Sequence, residues 1–498
     1  MVSELQKRAM RFLEDKNPVI VSNRGPVEFF RENDETVMKR GAGGLVSTLL
    51  PLVERFSGVW ISSAMTVEDA RVASRYPENR VPLPEDDPRF TVSFVIVDRE
   101  RYESYYSIIS NPLLWFVQHY MWNTPYDPLI DDKVYSAWED GYVHVNKKFG
   151  DKVISEIERN EKDSLIMLQD YHLYLCPFFI KKEIGDVFLS HFIHIPWPQR
   201  DYFNILPERM RADIIGGLLS NTILGFHIER YCANFFECCE DLGYEVERDR
   251  GIVRNGDEKT LVKSYPISVD PESMERTVSS PTFMEKDEFV RKLKGNMFLI
   301  YRTDRADLSK NIIRGFRAYE LFLRDHPEFH GKVKFLATGK PTRQQIREYR
   351  NYSEEVKDTV DEINEKYGTD EWKPIEYIYR ADYELVAAAF KNYDCLIVNP
   401  IADGMNIVPK EAAIINREDG ALILSERAGC YEELSEYVIG VNPFDIKETA
   451  DAIYSAIKMS PGKRKKISEG LKARVLERTI YHWISEQFDD FEDLWNKE

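Results

Sequence analysis

Residues 394–411 read DCLIVNPIADGMNIVPKE, and the fold turns on this stretch. The apolar run 395–398 predicts a short buried strand. Asn399, Pro400, Asp403 and Gly404 follow as turn residues. From 407 to 415 the pattern becomes helical. Pro409 falls in the first turn, where the amide a proline removes has no partner anyway. A strand that feeds a turn and then a helix aims unpaired N–H groups at whatever occupies the turn, and the helix dipole adds to the pull on an anion. An ordinary strand–helix turn of an α/β sheet has the same outline. The distinguishing feature is the polar chemistry packed into it: Asp403, Asn406 and Glu411 within nine residues.

Working outward, the same alternation repeats. Apolar runs at 297–301, 333–337, 375–379 and 421–424 each lead into a polar turn, the first holding Arg305 and Lys310 and the second Arg343. Upstream, strands are predicted at 19–22, 59–62, 91–97, 165–168, 188–195 and 223–226, with a polar hairpin-like excursion to Lys39. Gly41, Gly43 and Gly44 open an apolar helix over 45–56. They let backbone approach a ligand closely but do not have dinucleotide-motif spacing. Polar side chains recur where strands end, at Asp170 and His172, at His194, and at His227; the carboxyl edge of an open α/β sheet is where ligands bind. The aromatic stretch 105–122 has Tyr106, Ile109, Leu113 and Phe116 at helical spacing, a core stripe from which Tyr106 and Trp115 are candidates to line a pocket. Near 265–274 the period is lost between two prolines. The expected fold is therefore α/β, two Rossmann-like parallel-sheet domains facing a central cleft, covering 1–268 and 269–478, with the helix 479–498 packing back on the first.

The chain has 498 residues, too many for one core, and carries a net charge of −18 (67 basic against 85 acidic residues). An acidic chain with no basic tract points away from nucleic acid and anionic membrane, and no run is long enough to span a membrane. Residues 1–18 read as a charged amphipathic helix without an apolar signal core. The six cysteines make no CxxC pair and lie mostly in apolar runs, as expected of reduced thiols in a cytoplasmic protein; no metal-binding cluster is visible. Arg305, Lys310, Gly43, Gly44 and the helix start at Ile407 form one set of anion-binding elements suited to a diphosphate. The alternative for Arg305 and Lys310 is a solvated pair beside Asp304 and Asp307.

Taken in order, SNRGP (Arg24), RGAGGL, GVW (Trp60), YYSIISNPLLW (Tyr106, Trp115), QDYHL (Asp170), HIPWP (His194), FNILP, LGFHIERY, DRADLSKN (Arg305, Lys310), PTR (Arg343) and DGMNIVPKE resemble the retaining trehalose-phosphate synthases, which have the GT-B fold. The resemblance implies a nucleotide-sugar donor (UDP-, GDP- or ADP-glucose), a sugar-phosphate acceptor such as glucose 6-phosphate, no cofactor, and room for a homo-oligomer. It implies that Gly43, Gly44, Arg305, Lys310, Asn406, Ile407, Val408 and Glu411 hold the nucleotide, and that His194, Asp403, Gly404 and Met405 hold the donor sugar. Arg24, Trp60, Tyr106, Trp115, Asp170 and Arg343 would hold the acceptor, with Arg305, Lys310, His194 and Asp170 nearest the chemistry. Gln169 stands where the family has His, and RADLSKN departs from its RLDYSKG. These departures resemble a divergent branch acting on glycerol 3-phosphate or cyclitol phosphates. A catalytically silent sugar-phosphate-binding homologue is a third expectation.

Overall fold

The computed structural model describes residues 11–41 and 44–496. Residues 1–10 of the expected N-terminal helix, and Gly43, lie outside them. The chain divides into two compact units, one running through Pro266 and resuming at Tyr481, the other Ile267–Ile480.

Unit 1 is built on a ten-stranded sheet. Its strands are β1 (Asn17–Val21), β4 (Val59–Ser63), β5 (Arg80–Leu83), β6 (Phe90–Val95), β7 (Ser164–Gln169), β8 (Leu189–Phe192), β9 (Ile223–Phe226), β10 (Glu245–Glu247), β11 (Ile252–Asn255) and β12 (Glu258–Ser264). β2 (Val27–Glu32) and β3 (Glu35–Arg40) form the polar hairpin beside it. The order is β10-β11-β12-β9-β8-β7-β1-β4-β6-β5, parallel from β12 to β6 and antiparallel at both edges. Every residue of β1, β4, β7, β8 and β9 is buried, as required of parallel strands covered on both faces. The helix Ile480–Trp495 lies on this unit: Phe491 meets Phe188 at 5.6 Å, Trp483 meets Phe192 at 5.2 Å, and Tyr265 donates to Asp490 at 2.7 Å.

The aromatic stretch is wound differently from the α-helix its spacing predicts. Ser104–Leu114 is a π-helix of 11 residues, and a second, Ala137–Val143, crosses it where a Cβ on Gly141 would stand 2.7 Å from the Tyr105 amide. The wider turn buries Tyr105, Ile109, Leu113 and Leu114 and rolls Tyr106 out of the core.

Unit 2 is a six-stranded, wholly parallel sheet in the order β15-β14-β13-β16-β17-β18. The strands are β13 (Phe298–Arg305), β14 (Val333–Lys340), β15 (Ile375–Tyr379), β16 (Cys395–Val398), β17 (Ala421–Ser425) and β18 (Ile439–Val441). Ile300, Phe335, Phe316 and Tyr319 anchor its core, with Phe316 and Phe335 edge to face at 5.3 Å. In both sheets the strand order reverses beside the first strand, between β1 and β7 in unit 1 and between β13 and β16 in unit 2. The crevice outside the carboxyl ends at such a reversal is the binding position of an open α/β sheet. No described helix is long and apolar enough to cross a membrane.

Candidate active site

In unit 2 the reversal sets the turn after β13 beside the turn after β16. Within the latter, the Asp403 carbonyl accepts from Gly429 at 3.1 Å and the Met405 carbonyl from Cys430 at 2.8 Å. A trans peptide points its N–H opposite its C=O, so the Gly404 and Asn406 amides face away from residues 429–430. Among the described residues, none of the four amides from Gly404 to Ile407 has an acceptor. Asn406 is left-handed at φ 64, Ile407 is right-handed, and the helix Val408–Ile415 follows, its Val408 amide capped by Asn406 Oδ1 at 3.2 Å. Successive unpaired amides in such a turn make an anion-binding nest. Gly429 makes it possible: a Cβ there would lie 2.1 Å from the Gly404 carbonyl oxygen.

Lys310 adjoins the nest, and Arg305 ends the neighbouring strand. Lys310 ion-pairs with Asp403, whose Oδ2 also accepts from Asn406 Nδ2 at 3.0 Å. An ammonium has three donors, so this pair leaves others for a ligand. Arg305 ends β13 exposed, and its guanidinium has no ion pair or hydrogen bond among the described residues. The neighbouring carboxylates are engaged elsewhere, Asp304 by Arg302 at 2.7 Å and Asp307 by Arg343 at 2.6 Å. The solvated-pair alternative therefore lacks its partners. Arg302, buried in the strand, also donates to the carbonyls of Lys310 at 3.1 Å and Ile312 at 3.3 Å, fixing the Lys310 turn from below. Burial raises the Asp304 carboxyl above its ordinary value against the pull of Arg302 and Lys310. Glu411 sits half-buried in the first helical turn with the Tyr383 hydroxyl 3.5 Å from Oε1, and burial lifts its carboxyl to about 7.

In unit 1 the corresponding reversal brings the turn after β1 to the turn after β7. Asn23 is the hub of the first: Ser63 donates to its Oδ1 at 3.0 Å and Tyr105 at 3.3 Å. Arg24 next to it is largely exposed and 3.5 Å from Glu28. Tyr106 is stacked between Tyr102 (centroids 5.7 Å) and His172 (5.9 Å). Asp170 follows β7 at φ 72, ψ 175, a region that side-chain-bearing residues rarely adopt. Its carboxylate accepts from the His194 amide at 3.3 Å, and the His194 ring meets Gln169 Oε1 at 2.9 Å. Burial pushes His194 down to about 3, so the ring is neutral.

The model of glycosyltransferase family 20 matches residues 16–493. The chain belongs to glycosyltransferase family 20. It is 30% identical over 462 residues to alpha,alpha-trehalose-phosphate synthase 1 (UDP-forming) of Aspergillus niger, covering 91% of this chain and 85% of that one. It is 29% identical over 475 residues to the bifunctional trehalose-6-phosphate synthase/phosphatase of Thermoproteus tenax, covering 93% of this chain and 62% of that one. The first two curated relatives it matches are longer, and it spans about six-tenths of their length. A solved E. coli structure described as trehalose-6-phosphate bound with UDP-2-fluoro glucose superposes with a TM-score of 0.82 at 26% identity, covering 96% of this chain and 99% of that chain. The two parallel-sheet units thus carry the GT-B fold of that neighbour.

Within this family-20 chain, the residues proposed for the nucleotide sit together in unit 2, apart from Gly44, which opens the unit-1 helix Gly44–Arg55. Arg24, Tyr106, Asp170 and His194 follow β1, β7 and β8 or face them. Trp60 is 0% exposed, and its indole N–H donates to Ser22 Oγ at 2.8 Å, which in turn donates to the Arg24 carbonyl at 2.6 Å. Its effect on Arg24 is at one remove. Trp115 is buried at 5% exposure and stacked on His119 at 4.0 Å. Arg343 lies in unit 2 with its guanidinium against Asp307 and the Tyr349 hydroxyl at 2.9 Å, nearly closed to solvent. Pattern reading missed Tyr383 beside Glu411 and the buried Arg302–Asp304 pair, which only the folded register brings to the turns. All six cysteines are free and buried. Among the described residues no group of three His, Cys, Asp or Glu side chains is placed to hold a metal ion.

Proposed function

We propose that this chain transfers glucose from UDP-glucose to glucose 6-phosphate with retention at the anomeric carbon, giving alpha,alpha-trehalose 6-phosphate and UDP. The observation that carries the reading is the acceptor-free run of amides from Gly404 to Ile407 beside Lys310, at the same sheet edge as the unpartnered Arg305. A diphosphate leaving group gathers negative charge as the glycosidic bond breaks, and preorganised donors aimed at that charge lower the barrier. Glu411 would accept from the ribose hydroxyls, and the donor-sugar groups would be Asp403, Gly404 and Met405 on unit 2 and, on unit 1, His194. On unit 1, Arg24, Tyr106 and Asp170 are the acceptor groups. In this scheme the acceptor hydroxyl attacks on the face the diphosphate departs from, and a phosphate oxygen takes its proton. UDP is favoured because the matched relatives are named UDP-forming and the E. coli neighbour is described with a UDP sugar.

One observation favours a second acceptor. The Arg343 guanidinium is committed to Asp307 and Tyr349, which weakens the case for a hexose phosphate held there and leaves glycerol 3-phosphate or a cyclitol phosphate as rivals. A silent sugar-phosphate-binding homologue fits less well, since it has no use for a nest of amides suited to a leaving group. A matrix of UDP-, GDP- and ADP-glucose against glucose 6-phosphate, glycerol 3-phosphate and cyclitol phosphates, with mass detection of product, tests the reading. Trehalose 6-phosphate from UDP-glucose is the expected result. Release of nucleotide with another acceptor alone would replace the acceptor, and no release with any pair would overturn the enzyme.

A further inference from the structure

We propose that Gln169 and His191, two buried side chains on the adjacent strands β7 and β8, are positioning residues that fix the His194 ring and the Asp170 peptide. The proposal rests on the reading that His194 and Asp170 touch substrate. The strands pair with Gln169 opposite Phe192, which sets Gln169 and His191 at one end of the sheet.

Asp170 holds a backbone conformation that residues with a side chain rarely adopt, so something must enforce it. Its amide donates to the Phe192 carbonyl at 2.7 Å, and its carbonyl lies 3.0 Å from His191 Nε2. A carbonyl only accepts, so Nε2 carries the proton. His191 is 0% exposed, and its Nδ1 has no partner among the described residues. Burial also lowers His191 to about 4. A neutral ring with a bare Nδ1 in an apolar setting and Nε2–H on the Asp170 carbonyl satisfies all of this. A histidine inside a buried strand is costly unless its one donor is used; here it is used on the strained peptide.

Gln169 acts on the next strand end. Its Oε1 is 2.9 Å from His194 Nε2, while its own amide nitrogen is 3.4 Å from the Met167 carbonyl, which orients the carboxamide. An amide oxygen accepts, so His194 Nε2 is protonated and Nδ1 is the ring's only acceptor. A sugar hydroxyl bound by this ring must therefore donate to Nδ1. The other groups around the ring are His227 at 5.4 Å, Phe192 at 4.7 Å, Trp483 at 6.3 Å and the Asp170 carboxylate on the His194 amide. None of these duplicates the contact that Gln169 makes.

The experiment compares substitutions in the full chain under UDP-glucose and glucose 6-phosphate turnover. Gln169→Leu is expected to lower kcat/KM about 10–100-fold at every pH, the order of magnitude for losing a group that positions a side chain at the site, and to lower the melting point, because the buried His194 Nε2–H is left without its acceptor. Gln169→Glu keeps an acceptor and is expected to recover activity to within a few-fold at pH 8. It should also add an acid limb, because a carboxylate against the ring stabilises the imidazolium. His191→Phe is expected to raise the acceptor KM about tenfold with the donor KM unchanged, and His191→Gln, whose amide nitrogen can reach the same carbonyl, to rescue it. Equal losses in the Leu and Glu variants, or no acid limb, overturn the Gln169 role; no rescue by His191→Gln overturns the His191 role. If the wild-type chain turns over no donor–acceptor pair, the functional reading has failed instead. Imidazole 15N spectra of His-labelled protein then decide without substrate: Nε2–H on His194 in the wild type and a mixed tautomer in Gln169→Leu support the clamp, and an unchanged spectrum refutes it.

Discussion

Replacing Glu411 by glutamine tests the nucleotide site through two readouts of opposite sign. The Glu411 carboxyl rises from an ordinary 4.5 to about 7 because folding buries it in the first turn of the Val408–Ile415 helix beside Tyr383. The folded chain thus holds this proton more tightly than the unfolded chain. Below pH 4.5 both states are protonated and the burial costs nothing; the cost grows between 4.5 and 7 and is complete above 7. At about 1.4 kcal/mol for each tenfold change in proton affinity, the rise from 4.5 to about 7 caps the cost between about 3 and 4 kcal/mol, and partial exposure of the side chain reduces this to about 1–3 kcal/mol. Glu411→Gln should therefore stabilise the chain by about that much at pH 8.5 and by about a quarter of it at pH 5, measured as urea unfolding midpoints. The same change should raise the nucleotide-sugar KM about tenfold at pH 8.5, since a neutral acceptor replaces a charged one facing the ribose. The wild-type donor KM should climb as pH falls through about 7, while that of the variant stays flat. A stability gain that is equal at both pH values, or a wild-type donor KM that ignores pH, would refute the assignment of this carboxyl.

Three further outcomes follow from the described geometry. Arg305→Ala removes the donor proposed to face leaving-group charge and should cost at least about a hundredfold in kcat/KM with the circular dichroism spectrum unchanged; a loss of only a few-fold would remove Arg305 from the diphosphate. Gly429→Ala sets a Cβ 2.1 Å from the Gly404 carbonyl oxygen, so the nest must deform; donor binding by calorimetry should weaken while glucose 6-phosphate binding holds, and equal weakening of both would argue for general damage. Trp60→Phe leaves Ser22 Oγ without its indole donor and should destabilise by about 1 kcal/mol in urea unfolding with the acceptor KM unchanged; a raised acceptor KM at full stability would place Trp60 in the acceptor set.

The central parts of the fold were legible because they are chemically extreme. Strands β1, β7, β9 and β16 are short, unbroken apolar runs, each closed by turn residues. The turn at 399–406 announces itself through Asp403, Gly404 and Asn406. Less was legible where local pattern and tertiary setting part company. β5, β10, β11 and β12 are edge or near-edge strands whose charged residues, such as Arg254 and Lys259, imitate a loop. Tyr106 was read on an α-helical stripe, and the extra residue per turn of the π-helix moves it outward, an effect that comes from the crossing at Gly141. The full burial of Trp60 in β4 was not legible either, because position alone cannot say which way a strand residue faces. Arg343 pairs with Asp307, 36 residues earlier, and such a distant partner is invisible to any window of sequence.

The parallel order of the unit-2 sheet has a consequence for how the molecule matures. β13 and β16 are neighbours, with the Leu299 amide on the Asp394 carboxylate, yet those residues are 95 positions apart. Lys310 emerges from the ribosome long before the chain that supplies Asp403 and the amides of 404–407. Loop closure across such a separation is slow and entropically opposed. During synthesis the chain therefore completes the strands of unit 1 first, and the amide run proposed to hold a nucleotide is assembled late, after β16 has docked between β13 and β17. Nucleotide sugar present in the cell during translation would find nothing to grip until that moment and would then stabilise the finished unit by mass action.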